Sequence, residues 1–209
     1  MFPAGFSVCL LTLTCLCLLE MPWPTSALPL HRLLAARRPS RSVSALKRHA
    51  SHMATEAATV VGLTDSLHLT YMSARFNGDR TIRSDELTAP SIELPSTYTV
   101  AAIISDTEIV RRHYDNLRRY KQVLHAVGET ESEFSQRIGE VVEDLDQLIV
   151  RVGQMHELFN QSIGNSQPEA VGAYPQNTER NTRTLFVLQE FKTYMSQVVD
   201  DYVQLSSHL

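Results

Sequence analysis

The chain has 209 residues, of which 43% are apolar and 20% charged, and a formal net charge of −4. A nucleic-acid footprint needs an excess of clustered Lys and Arg, so this balance excludes that class of partner. All three cysteines, Cys9, Cys15 and Cys17, fall within the first 20 residues.

Residues 6–19 form an apolar run that is too short for a bilayer, which needs about 20 residues. Pro22 and Pro24 stop any longer membrane helix. Thr25-Ser26-Ala27 places small residues where a signal peptidase cuts. The expectation is a secretory signal peptide over 1–27, cleaved after Ala27, although no Lys or Arg precedes the apolar run. Cleavage there leaves a secreted, extracellular chain of 182 residues with net charge −3 and no cysteine. Such a chain can form no disulfide, no cysteine-based metal site and no thiol nucleophile. It must hold together by packing, which its length allows in one domain. Residues 28–41 read as a basic arm, with Arg32, Arg37, Arg38 and Arg41 followed by Lys47 and Arg48 before Glu56. The bland reading is a solvated segment. Arg41 and Lys47-Arg48 are also candidate processing sites.

Beyond the arm, apolar residues recur at alternating steps of four and three, the signature of helices that share a core. The first helix is expected over about 42–73, with Leu46, Ala50, Met53, Ala57, Val60, Thr64, Leu67 and Tyr71 on its seam. The second is expected over 105–127. Ser105 and Glu108 form a capping box, His113, Leu117, Tyr120, Leu124 and Val127 form the seam, and Gly128 marks the stop. The third is expected over 131–161, opened by a second box, Thr130 and Glu133, with Phe134, Ile138, Val141, Leu145, Leu148, Val152, Met155 and Phe159 inward. The fourth is expected over 178–207, with Leu185, Leu188, Phe191, Met195, Val198, Tyr202 and Leu205 inward.

The connections are unequal. Residues 74–104 and 163–177 are long enough to run the length of a helix, while only about three residues join the second helix to the third. Two long crossovers around one short turn predict an all-α, long-chain four-helix bundle over 42–209 with the up-up-down-down topology of cytokines.

Chemistry is sparse. HELFN (156–160) opens like a zinc helix, but Asn160 stands where the second His is required, and a lone helical His is expected to be solvated. DELT (85–88) falls in a loop, and the acids of DLDQ (144–147) and VVDD (198–201) read as solvated faces. No nucleophile elbow or phosphate-cradling glycine loop occurs. The expectation is no enzyme, no cofactor and no metal. Asn160-Gln-Ser162 is a glycosylation sequon.

The last helix, TLFVLQEFKTYMSQVVDDYVQLSSHL, resembles the fourth helix of the interleukin-6 family, in its ciliary neurotrophic factor, cardiotrophin-like and neuropoietin branch. GLTDSL...YMSARFNGD and LPSTYTVAAI...DNLRRYKQVL resemble the end of the first helix and the entry to the second in that branch. The resemblance implies a monomeric signalling ligand. It would assemble a shared transducing receptor, glycoprotein 130, with one or more ligand-specific chains, without inserting into the membrane, and so switch on cytoplasmic kinases and transcription factors. It also implies three contact surfaces. One combines the first crossover with the end of the fourth helix. A second covers the outer faces of the first and third helices. A third lies at the start of the fourth helix.

For the second surface the outward stripes supply Thr55, Thr59 and Gly62 on the first helix, and Glu143, Asp146, Val150 and Gly153 on the third. Both stripes are small and flat, which allows close approach of a receptor domain; the bland alternative is drift on a tolerant surface. At the third surface the relatives carry Phe-x-x-Lys, and here Thr178-Glu-Arg-Asn181 stands in its place. Its anchor and charge are absent, so the surface is expected to be rebuilt with Tyr174, Arg180 or Arg183, or the second receptor differs. The rival class is a secreted amphipathic-helix lipid-binding protein. It is disfavoured by the lack of an internal repeat and by the narrow seams.

Overall fold

The structure is a computed structural model that describes residues 39–79, 82, 94, 95, 105–159 and 177–209. The chain divides into two compact units, Met1–Arg41 and Ser42–Leu209, and the second holds the helical bundle. Four helices build it: α1 (Pro39–Arg75), α2 (Asp106–Thr130), α3 (Ser135–Leu158) and α4 (Asn177–His208). The described residues contain no strand and form an all-helical four-helix bundle. The proposed cleavage site at Ala27 and the sequon at Asn160 lie outside the described residues.

The seam predicted from spacing is the core. Every predicted seam residue is buried except Phe159, which is half-buried against the same cluster. Val110, Val123, Ile149, Val187 and Tyr194 join it. The aromatic rings concentrate between α2 and α4, where Tyr120 stacks on Tyr194 at 5.0 Å between centroids and sits 5.1 Å from Phe191. Burying such side chains contributes about 1.5–3 kcal/mol each before the entropy of ordering them is subtracted.

The ends of the helices show where local signals were overridden. Ser105 caps α2 as expected, its hydroxyl accepting from the Glu108 amide at 3.3 Å. The reciprocal half of the box is missing. Glu108 instead accepts from Arg111 and Arg112 at 2.7–2.8 Å, which holds its carboxyl down at about 2.

Gly128 does not end α2, which runs on to Thr130. A Cβ at Gly128 would lie 3.2 Å from Ile138, so this glycine serves the close crossing of α2 and α3. The second capping box also fails. Thr130 donates back to the Val127 carbonyl at 2.9 Å, and α3 starts only at Ser135, after a cap residue, Phe134, that makes no side-chain bond. The α2–α3 link turns the chain straight back. Along it Gly128 meets Ile138, Lys121 meets Asp146 and Tyr114 meets Gly153, an antiparallel pair.

At the other end of α1, Asn77 and Gly78 take φ of 52° and 73°, and the Gly78 amide donates to the Met72 carbonyl at 3.1 Å. This is the left-handed stop that glycine and asparagine make cheap. The described points of the first crossover are strapped to the bundle. Gln189 donates to the Ile82 carbonyl at 3.0 Å, and Tyr120 donates to the buried Pro95 carbonyl at 3.0 Å.

Candidate functional site

The α1 face is as flat as its sequence. Ser51, Thr55, Ala58, Thr59, Gly62 and Ser66 are all exposed. Thr55 and Thr59 turn their hydroxyls back to donate to the Ser51 and Thr55 carbonyls at 3.1 and 3.2 Å. A Cβ added at Gly62 would meet nothing within 4 Å. Spent hydroxyls and a missing side chain make a surface that costs little to desolvate.

On α3 the outward stripe holds at Glu143, Asp146 and Val150, all exposed, and fails only at Gly153. Glu143 and Val150 point out, and Val150 is 56% exposed. Asp146 leans toward α2, where Lys121 donates to it at 2.5 Å. Gly153 is not on the surface: it is buried, and a Cβ there would meet the Tyr114 ring at 3.3 Å. The physical reason is close packing of α2 on α3, the same cause that holds Gly128.

Toward α1 the bridge between Arg151 and Glu56 and the 2.6 Å bond from Arg137 to Thr70 join α3 to α1. The α3 residues on that side of the face are Glu140, Gln147 and Gln154, all exposed. Sequence reasoning missed them, although their seven-residue spacing carried the signal. The α1/α3 face thus unites Thr55, Thr59 and Gly62 with Glu143, Val150 and these three, around a central Glu56–Arg151 bridge.

The start of α4 does not offer the surface expected of it. Arg183 is 5% exposed, a correction to its place among surface candidates. Arg180 reaches Glu131 at 3.7 Å, and the Asn181 carbonyl and side chain lie 3.5 Å from the Tyr71 hydroxyl. Glu131 draws these groups inward. It is 1% exposed, accepts from Tyr71 at 2.8 Å and Thr184 at 3.0 Å, and sits 3.7 Å from Arg75. Burial pushes the Tyr71 phenol well above its ordinary range. Tyr174 and the Thr178 side chain lie outside the described residues.

Two polar groups are buried against expectation. His113 places Nδ1 2.8 Å from the Tyr194 hydroxyl and Nε2 3.0 Å from Asp201, so the ring bridges the phenol and the carboxylate. Asp201, expected to be solvated, is therefore part of a brace between α2 and α4, while Asp200 stays exposed. The imidazole–carboxylate pair has the composition of a catalytic dyad, but the ring is fully buried and its second nitrogen faces a phenol. His156, also expected to be solvated, is buried near Tyr114, with neither ring nitrogen hydrogen-bonded among the described residues.

Among the described residues no cluster of His, Cys, Asp and Glu could hold a metal, and no helix is long and apolar enough to cross a membrane. No protein-family model matches the chain, and no curated protein matches it.

Proposed function

We propose that the protein is a secreted helical cytokine of the interleukin-6 type, which acts by assembling cell-surface receptors of the glycoprotein-130 type and performs no catalysis. The observation that carries this reading is the order of contacts between helices, which supports an up-up-down-down arrangement. On α1 and α3, Thr70 pairs with Arg137 and Glu56 with Arg151. On α1 and α4, Tyr71 lies near Asn181 and Asp65 near Lys192. On α2 and α4, Asp106 pairs with His208, His113 with Asp201 and Tyr120 with Phe191. In each set one number rises as the other falls. These pairings support the reading in which both early helices oppose both late ones, the arrangement that two long crossovers and one short turn require. Secretion rests on the leader-like residues 6–27.

The shared receptor is assigned to the α1/α3 face, where Thr55, Thr59, Gly62, Glu143 and Val150 are exposed. A ligand-specific chain is assigned to the crossover and the end of α4, where Val203 is 52% exposed. The lipid-binding rival needs open apolar faces, whereas here the apolar seams are buried against one another and the exposed large apolar residues are scattered singly.

The test is surface plasmon resonance of the purified mature chain against the ectodomain of the shared transducing receptor. Binding is expected, with Val150→Arg and Thr59→Arg each weakening it at least about tenfold, or about 1.4 kcal/mol. Absence of wild-type binding would overturn the receptor assignment. Unchanged affinity in both variants would move it to another face. Unfolding that becomes cooperative only with lipid would favour the rival.

A further inference from the structure

The flank along which α1 meets α4 carries polar groups of both helices. Asp65 of α1 pairs with Lys192 of α4. His68 lies three residues on from Asp65, so the two share a helix face. Both of its ring nitrogens are shut off from water, and neither has a hydrogen-bond partner among the described residues. Gln189, one turn before Lys192 on α4, donates to the Ile82 carbonyl at 3.0 Å, which holds the first crossover to the same helix. Among the described residues the charged groups that bear on the ring are Asp65 from its own helix and Lys192 from α4. The crossover adds, at Ile82, an uncharged carbonyl.

We propose that His68 is an acid-sensitive catch between α1 and α4: neutral, it packs beside the Asp65–Lys192 pair, and protonated, it weakens the seam the two helices share. A second N–H on this ring finds no acceptor, and the charge it brings is set against the Lys192 ammonium where water does not reach. Burial first, and Lys192 second, holds the imidazole below its ordinary value of 6.5, against the opposing pull of Asp65. The order is the expected one, because the Asp65 and Lys192 side chains are 40% and 39% exposed and water screens them. The unfolded chain takes up this proton near 6.5 and the folded chain only at lower pH. The stability it withholds is therefore complete above 6.5 and is lost as the pH falls below it.

His113 shows the opposite design. It lies between α2 and α4 with both ring nitrogens bonded, one of them to the Asp201 carboxylate, so that brace holds a counter-charge in place. The α1/α4 flank has no such acceptor at His68. The inference is a property of the chain alone and does not rest on the receptor reading.

The test compares thermal unfolding of the mature chain and its His68→Gln variant from about pH 7.5 to about pH 5, the range that brackets an ordinary histidine. The other histidines titrate in both proteins and cancel in the difference. The wild type is expected to lose at least about 2 °C in Tm relative to the variant as the pH falls across that range. Nuclear magnetic resonance of the His68 ring in the folded chain is the second measurement, and it decides the matter even where His68→Gln does not fold. The ring is expected to titrate below 6.5 in the wild type and to move upward in Lys192→Met, which removes the opposing charge. A Tm difference that stays constant with pH, a ring that titrates at or above 6.5, or a titration unmoved by Lys192→Met would each overturn the proposal.

Discussion

Glu131→Ala should be among the most damaging single truncations at the turn end of the bundle, and its cost follows from burial. The carboxylate is 1% exposed and accepts from Tyr71 at 2.8 Å and Thr184 at 3.0 Å. Hydrogen bonds to a charged acceptor contribute about 1.5–3 kcal/mol each, and removing one partner of a buried charge costs about 3–5 kcal/mol. Two facts pull the figure to the low end. The Tyr71 hydroxyl keeps Asn181 at 3.5 Å, and Arg75 and Arg180 retain solvent contact. The expected loss is about 3–4 kcal/mol, or about 6–16 °C in Tm for a domain of this size. Glu133 is the control. It sits closer to Arg75, at 2.8 Å against 3.7 Å for Glu131, but is 61% exposed. Water screens that pair, so Glu133→Ala should cost under about 1 kcal/mol. Urea and thermal unfolding at neutral pH measure both. Equal losses in the two variants, or a loss under about 1 kcal/mol at Glu131, would show that distance rather than burial sets these energies.

His156→Leu should raise the urea midpoint by the equivalent of about 1–2 kcal/mol, since it removes two buried nitrogens that have no hydrogen-bonding partner among the described residues; a lowered midpoint would count against that account. Gly62→Ala should stabilise by about 1 kcal/mol, because its Cβ enters open space on an exposed helix. Gly153→Ala should gain less, because its Cβ meets the Tyr114 ring at 3.3 Å, and thermal melts of the two variants compare them directly. Glu108 is held down at about 2, first by Arg111 and then by Arg112, so its contribution is complete above its ordinary value near 4.5 and disappears as pH falls toward about 2. The Tm gap between wild type and Glu108→Gln should therefore be present at pH 7, correspond to about 1 kcal/mol for a partly exposed cluster, and close between those two values.

The rods and their seam were legible because a period near 3.5 is a property of the sequence itself: seam residues from Leu46 to Leu205 are buried. What local reading missed depends on partners far along the chain. Glu131 is drawn inward by Tyr71 and Thr184, 60 and 53 residues away, and no nearby residue announces it. Asp201 and His156 are different, since their spacing held a signal. Tyr194, Val198, Asp201 and Leu205 step by four, three and four, as do Leu145, Ile149, Val152 and His156 by four, three and four. Reading acids and histidines as solvated by type hid polar groups that occupy core positions by period. His113, placed in the core on spacing alone, shows that period is the better guide.

The same contrast bears on which surface candidates carry weight. Thr55, Thr59 and Val150 lie mid-rod, where a turn of 100° per residue fixes their outward direction whatever lies elsewhere in the chain. Arg180 and Arg183 lie at a helix end, where backbone and side-chain polar groups from several elements converge, and a buried carboxylate from the α2–α3 link claims that end. The start of α4 lacks the Phe and the Lys of the resembling family, and the arginines that could have replaced them face inward or lie beside Glu131. Receptor assembly by this chain would then depend more heavily on the α1/α3 face than the resemblance implies, so a single charge at Val150 should cost it more signalling than any substitution at the start of α4 that leaves Glu131 satisfied.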